Sequence, residues 1–305
     1  FAVGGEWGGA VLLAAEHGDA ARRGFWASWP QAGVPAGSLM ATAMLALMSG
    51  VMSDAEFMRW GWRVPFLLSA ILVAIGWWVR TAVAESPAFE AEMEAAEAPP
   101  KLPAILVLRE NPLAILTGSG LRVGENISYY IITVFSLTYL TEVAAESRGL
   151  ALKALSLAAA VHFCAIPLLA RLSDRIGRRA VYAFGGFGLA AFVFVFFPML
   201  SSGDRFAIFA AITIALVLHG AMYGPQAAMI AELFPTRTRY SGASIAYQLT
   251  SIFAGSLAPI VALWLYHREH SALPVAIYVA VACAISGVSA LLARETKGVE
   301  LDAIK

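Results

Sequence analysis

The 305-residue chain carries 21 basic and 21 acidic residues, for a formal net charge of zero, and is 59 % hydrophobic with a mean hydropathy of +0.71. Only 14 % of it is charged, against roughly 25 % in soluble domains, so lipid is the expected solvent and a water-soluble globule is excluded. The balanced charge supplies no global field for nucleic acid. Cys164 and Cys283 lie in apolar runs without zinc-type or disulfide spacing, so both read as core thiols and no metal site is expected.

A helical span needs about 20 apolar residues to cross a hydrocarbon core roughly 30 Å thick. A partial run at 1–16 is followed by eight full ones at 25–52, 61–79, 112–138, 150–170, 181–200, 206–234, 243–266 and 274–293. The runs are too long for barrel strands and lack their period-two alternation. The fold class is therefore all-α, a polytopic membrane protein with nine spans. Loops 17–24, 80–110, 171–180, 235–242 and the tail from 294 carry fourteen Arg and Lys; the opposite loops carry five. That asymmetry places the first group, and the C-terminus, in the cytoplasm. Phe1 then falls on the outer side, in mid-pattern and without the features of a signal peptide, so three preceding helices and a total of twelve are expected.

In chain order, the first span carries Glu6, ten residues before Glu16 at the helix end. At 1.5 Å per residue that is about 15 Å, half the hydrocarbon thickness. Gly4/Gly8, Gly5/Gly9 and Gly33/Gly37 are small-xxx-small pairs suited to close helix packing. Residues 80–110, "RTAVAESPAFEAEMEAAEAPPKLPAILVLRE", break the rhythm of spans with glutamates and prolines. They read as a cytoplasmic linker between residues 1–79, three spans of a first half, and 111–305, a six-span second half with a short tail. The acidic run from Glu85 to Glu97 reads as a solvated helix face.

The span from Pro112 carries Arg122 about 15 Å deep, with Glu125, Asn126 and Tyr129 on the same helical face. An ionisable group at that depth costs on the order of 2.5–3.5 kcal/mol even on insertion scales, so each is a candidate for function. Arg122 and Glu125, three residues apart, are also spaced to neutralise each other. His219, Tyr223 and Gln226 share one face of a later span, whereas His162 has no such company and reads as a packing residue. The candidate substrate residues are Arg122, Asn126, Tyr129, Tyr223 and Gln226; the candidate proton carriers are Glu6, Glu125 and His219. No HExxH, GxSxG or GxxxxGK[ST] motif occurs, and "GFGLAA" at Gly186 lies inside a span with no strand before it. Neither an enzyme nor a cofactor is indicated.

Two longer patterns bear on the architecture. "EHGDAARRGFWASWPQAGVPAGSL" from Glu16 and "ELFPTRTRYSGASIAYQLTSIFAGSL" from Glu232 share an order of features, the mark of a parallel repeat between halves. The stretch "ARLSDRIGRRAV", Ala170–Val181, packs four arginines and an aspartate into a loop of about ten residues. Gly177 permits a tight turn there, and Asp174 can pair with arginines and with the N-terminal dipole of a neighbouring helix. Asp174, Arg175, Gly177, Arg178 and Arg179 are the candidate gating residues.

This stretch resembles the G-x-L-x-D-R-x-G-R-R loop of the major facilitator superfamily, with Ala170 in place of the first glycine. "FAVGGEWGGA", "WGWRVPFLLSAILVAIGWWVR" followed by "ESPAF", and "AELFPTRTRYSG" together resemble the metabolite:proton symporter group of that superfamily, which carries 2-oxoglutarate, citrate, shikimate, proline and glycine betaine. The resemblance implies a proton-coupled importer of a small organic metabolite in the bacterial inner membrane, with about nine of twelve helices present. The planar fork of Arg122 suits a carboxylate, and the tail ends soon after the last span, without the coiled coil of some osmolyte carriers. An organic acid is therefore expected before a zwitterionic osmolyte; a non-transporting receptor is the rival class. Glu6 is the first choice as proton carrier, because mid-depth burial disfavours its charged form.

Overall fold

Among residues 2–82 and 103–299, which the computed structural model describes, helix follows helix and no strand occurs. The first group is α1 (Ala2–His17), α2 (Arg23–Val51), α3 (Asp54–Arg59) and α4 (Val64–Ala82). Then come α5 (Pro103–Glu110), α6 (Pro112–Tyr130), α7 (Arg148–Ile176), α8 (Arg178–Leu200) and α9 (Arg205–Ala231). The chain closes with α10 (Thr236–Thr250), α11 (Ala258–Glu269) and α12 (Leu273–Leu292). The acidic run of the expected linker lies outside the described residues, while its last eight residues form α5.

Local chemistry sets the helix ends. Ser147 and Asp204 cap α7 and α9, each side chain accepting from a backbone N–H in the first turn. Pro112 sits at the start of α6, where its missing N–H costs no hydrogen bond. Beyond Tyr130 the helix continues through π turns at Ile131–Phe135 and Tyr139–Val143, and a third π turn at Ser251–Gly255 follows α10.

Seven helical segments among the described residues are long and apolar enough to cross a membrane. The sequence predicts nine, and the other two fall short for identifiable reasons. α1 has 16 residues, and α6 holds Arg122, Glu125 and Asn126 in its interior. The expected loop at 171–180 is a larger difference. α7 runs to Ile176 and α8 begins at Arg178, so Gly177 alone separates them. Its φ of 109° lies where a Cβ is strained, which is why a single residue suffices to turn the chain.

α9 is the centre of the packing, buried without interruption from His219 to Ala231. It lies against α7, α8 and α2, while α12 packs on α8 and α6, and α10 packs on α6. Helices approach closely where glycine removes the side chain: a Cβ at Gly124 of α6 would stand 2.6 Å from Cys283 Cα of α12. Ser286 fastens the same contact, accepting from Gly124 N–H at 2.8 Å and donating to the Gly120 carbonyl at 2.6 Å. Gly33 and Gly37, expected as a packing pair, have no described atom within 4 Å of a Cβ built there. Cys283 is a core thiol as expected, but Cys164 is exposed, because its side of α7 turns away from α9.

Candidate functional site

The polar face of α6 does not meet lipid. Arg122, 6 % exposed, pairs with Glu125, 2 % exposed, through a direct ion pair. The Arg122 guanidinium also donates to Ser251 Oγ and Gln226 Oε1, both at 3.3 Å, and lies 3.7 Å from the centre of the Tyr247 ring. Trp7 stacks on Tyr247 with ring centres 3.6 Å apart, and its indole N–H donates to Gln31 Oε1 at 2.7 Å. Both faces of Tyr247 are thus taken, one by a cation and one by an indole. Removing one partner of a buried ion pair costs about 3–5 kcal/mol, so neither member of the Arg122–Glu125 pair is free to change alone.

Glu125 has a second partner. Its Oε1 stands 3.0 Å from His219 Nε2, and His219 Nδ1 stands 3.1 Å from His162 Nε2. Gln226 bridges Arg122 to Tyr182, donating to the Tyr182 hydroxyl at 3.1 Å. Tyr129 and Tyr223 flank the histidines, with ring centres 5.3 Å and 5.2 Å from His219. Asn126 Oδ1 is buried without a hydrogen-bond partner among the described residues, and it faces the π turn near Gly255.

A second charged cluster closes one end of the bundle. Asp174, on the last turn of α7, accepts from the backbone N–H groups of Gly24 and Phe25, each at 2.9 Å, at the start of α2. This is a carboxylate on a helix N-terminus, where both the exposed N–H groups and the dipole favour negative charge. Arg178 donates to Asp174 at 2.9 Å and grips Glu232 with two nitrogens at 2.7 Å and 2.8 Å. Glu232 also receives Arg23 at 3.0 Å and the Thr296 hydroxyl. Glu295 accepts from the backbone N–H groups of Arg178 and Arg179 at 3.1 Å and 3.2 Å. A Cβ at Gly177 would lie 2.8 Å from Glu295 Oε2, a second reason for glycine at that position. Arg23 closes the ring by donating to the Val299 carbonyl at 2.9 Å. At the opposite end, cavities of about 280 Å³ and about 370 Å³ both border Tyr139.

Six residues singled out from the sequence meet in the central cluster, Arg122, Glu125, Tyr129, His219, Tyr223 and Gln226, while Asn126, on the same helix, is buried against the π turn near Gly255. Glu6 lies on α1, but its side chain is outside the described residues. At the charged end, Asp174, Gly177, Arg178 and Arg179 join the network, whereas Arg175 is exposed and contributes only its carbonyl, to Lys297. His162 corrects the sequence reading: it is a polar partner of His219, invisible as such because 57 residues separate them. Trp7, Gln31, Tyr182, Tyr247 and Ser251 were also missed. Glu232 and Arg23 could have been found, since the repeat places Arg23 seven residues after Glu16 and Arg239 seven after Glu232.

The model of the Major Facilitator Superfamily matches residues 1–259 and again 124–303. The chain is 36 % identical over 300 residues to the inner membrane metabolite transport protein YhjE of Escherichia coli (strain K12), covering 97 % of this chain and 68 % of that protein. It is 37 % identical to the shikimate transporter of the same organism, with the same coverage, and 29 % identical to the proline/betaine transporter of Salmonella typhimurium, covering 97 % of this chain and 61 % of the transporter. The chain thus spans about two thirds of the length of these relatives. Among solved structures, the proton:xylose symporter XylE bound to 6-bromo-6-deoxy-D-glucose superposes with a TM-score of 0.71 at 17 % identity, over 97 % of this chain and 69 % of that one. Sequence and fold agree that the chain belongs to the Major Facilitator Superfamily and is a multi-pass membrane transport protein, not an enzyme.

Proposed function

We propose that this transporter is a secondary carrier that couples import of a small organic acid to a proton by alternating access in the bacterial inner membrane. The observation that carries this reading is the buried Arg122–Glu125 pair with His219 on its far side. While Glu125 is ionised it neutralises Arg122 and competes with any incoming carboxylate. Protonation of Glu125 removes that competitor, and the substrate carboxylate then replaces it on the guanidinium. Charge inside the low-dielectric core is balanced in both states, which matters because an uncompensated buried charge costs several kcal/mol. One proton and one carboxylate therefore travel together.

Relatives named as a shikimate transporter and a metabolite transport protein, and a fold neighbour named as a proton symporter, support the reading. The proline/betaine relative raises the osmolyte alternative. Recognition of a quaternary ammonium uses open aromatic faces, and here Arg122 and Trp7 already cover both faces of Tyr247. In this reading residues 1–79 belong to a first half, 80–110 to a linker and 111–305 to a second half, and the charged end faces the cytoplasm.

The test is competition for uptake in proteoliposomes, with shikimate, citrate, proline and glycine betaine as probes and the protein made from its complete coding sequence. Acid accumulation abolished by a protonophore is expected. Arg122→Lys should lower acid affinity at least about tenfold, since an ammonium lacks the planar fork. Glycine betaine competing best, or unchanged affinity in that variant, sinks the acid assignment. Binding without flux would mark a receptor.

A further inference from the structure

His162 has no part in holding the anion, yet it is 1 % exposed and, among the described residues, its hydrogen bond is to His219. A packing residue at that site would be better served by an apolar side chain, because a buried imidazole costs free energy unless its nitrogens are paired. Two imidazoles and a carboxylate instead form an unbroken row from α7 across α9 to α6. The row ends on Arg122. Its spacings, 3.1 Å and 3.0 Å, are those of hydrogen bonds already made.

The order of donors in this row follows from its end. An ionised Glu125 only accepts, so His219 donates to it from Nε2 and has Nδ1 left as an acceptor. His162 must then donate from Nε2 to that Nδ1, which leaves the lone pair of His162 Nδ1 free to accept. A row of neutral imidazoles so aligned takes up a proton at one end and delivers one at the other.

We propose that His162 and His219 form a two-imidazole relay that carries the coupling proton to Glu125. A proton from water binds His162 Nδ1; the Nε2 proton of His162 passes to His219 Nδ1; the Nε2 proton of His219 passes to Glu125 Oε1. One proton enters, one carboxylate is neutralised, and each imidazole is left neutral in its other tautomer. Return of the proton along the same row restores both tautomers, so no ring has to rotate. Alternating access need change only the side from which water reaches His162.

The surroundings fit a relay. From α6 the row is faced by Arg122, Glu125 and Tyr129, from α9 by Tyr223, from α10 by Tyr247 and, through Gln226, from α8 by Tyr182. The rings of Tyr129 and Tyr223 flank His162 at 6.4 Å each, holding the imidazole between them. On α2, which also packs against α7, the only titratable residue is Arg23, and it is committed to the charged end.

This proposal rests on Glu125 being the coupling carboxylate, and the experiment separates the two. In proteoliposomes holding the protein made from its complete coding sequence, shikimate and citrate are followed both as accumulation driven by a pH gradient and as exchange at equal pH on both sides. His162→Gln keeps an N–H to donate to His219 but has no basic nitrogen to take up a proton. It should lower gradient-driven accumulation at least about tenfold while lowering exchange less than about threefold, in line with the loss of a proton-transfer group. Accumulation with the rate and pH profile of the unsubstituted protein overturns the relay and leaves Glu125 coupling intact. Equal loss of both activities overturns it too, showing His162 to be a structural support. Unsubstituted protein that exchanges probe acids but ignores the pH gradient refutes proton coupling itself, and the relay with it.

Discussion

Asp174 receives two backbone N–H groups of α2 and one guanidinium, all at 2.9 Å. No other side chain type offers two acceptor oxygens and a full negative charge at that reach. Asp174→Asn retains one acceptor oxygen, presents an NH₂ to the other backbone donor and removes the charge facing Arg178. An unsatisfied buried donor costs about 1–3 kcal/mol. The expected outcome is near-complete loss of uptake with unchanged membrane insertion, checked by transport assay beside quantitative blotting of membranes. Uptake at the unsubstituted level would show that the contact between α7 and α2 is dispensable. At this scale the sequence was most informative where charge stood in an apolar run, as with Arg122 and Glu125. It was silent on Tyr247 and took His162 for a packing residue, because the chemistry of both comes from neighbours on other helices.

Among the elements, α6 bears the most constraint. One face carries the charged cluster and another lies so close to α12 that only glycine fits at position 124. Gly124→Val would push Cγ atoms into the α12 backbone, and overpacking of this kind costs about 1–3 kcal/mol. A lowered unfolding temperature in detergent is expected, together with reduced transport, because pushing α6 off α12 also displaces Glu125, the next residue in the chain. Unchanged thermal stability would mean that α12 yields without cost. Most helix boundaries were legible from apolar runs, but two kinds of feature were not. The ten-residue loop expected at 171–180 is mostly helix, since charge in the last and first turns is stable when carboxylates and backbone donors are waiting for it. The π turns leave no mark in composition, because they arise from how the helix is held at either end.

Across the whole molecule, the repeat gains a physical meaning at the charged end. Arg23 of the first repeat binds Glu232 of the second at 3.0 Å, and Arg239 of the second binds Glu16 of the first at 3.5 Å. The two pairs are reciprocal, as expected of equivalent positions related by an approximate twofold axis. Glu232 additionally holds Arg178, so one carboxylate joins α2, α8 and α9. Glu232→Gln leaves two buried arginines short of a partner, a change of about 3–5 kcal/mol, and should open this end. Ala228, fully buried beneath the clamp, can report it: the label rate of Ala228→Cys with a water-soluble maleimide should rise at least about tenfold when Glu232→Gln is added. An unchanged rate would show that the clamp does not guard this path.

Sequence alone determined the solvent, the helical class, the order of most apolar runs, and the two places where charge needed an explanation. Those features are local: a span needs a certain length of apolar chain, and a charge within it stands out whatever surrounds it. The superfamily loop was legible for the same reason, since its glycine, aspartate and arginines lie within ten consecutive residues. Only the tertiary structure decided which charges meet. Arg122 and Gln226 are 104 residues apart, Arg23 and Glu232 are 209, and His162 and His219 are 57. Ion pairing and hydrogen bonding depend on distances of about 3 Å in space, and helix packing, not chain order, brings those residues that close.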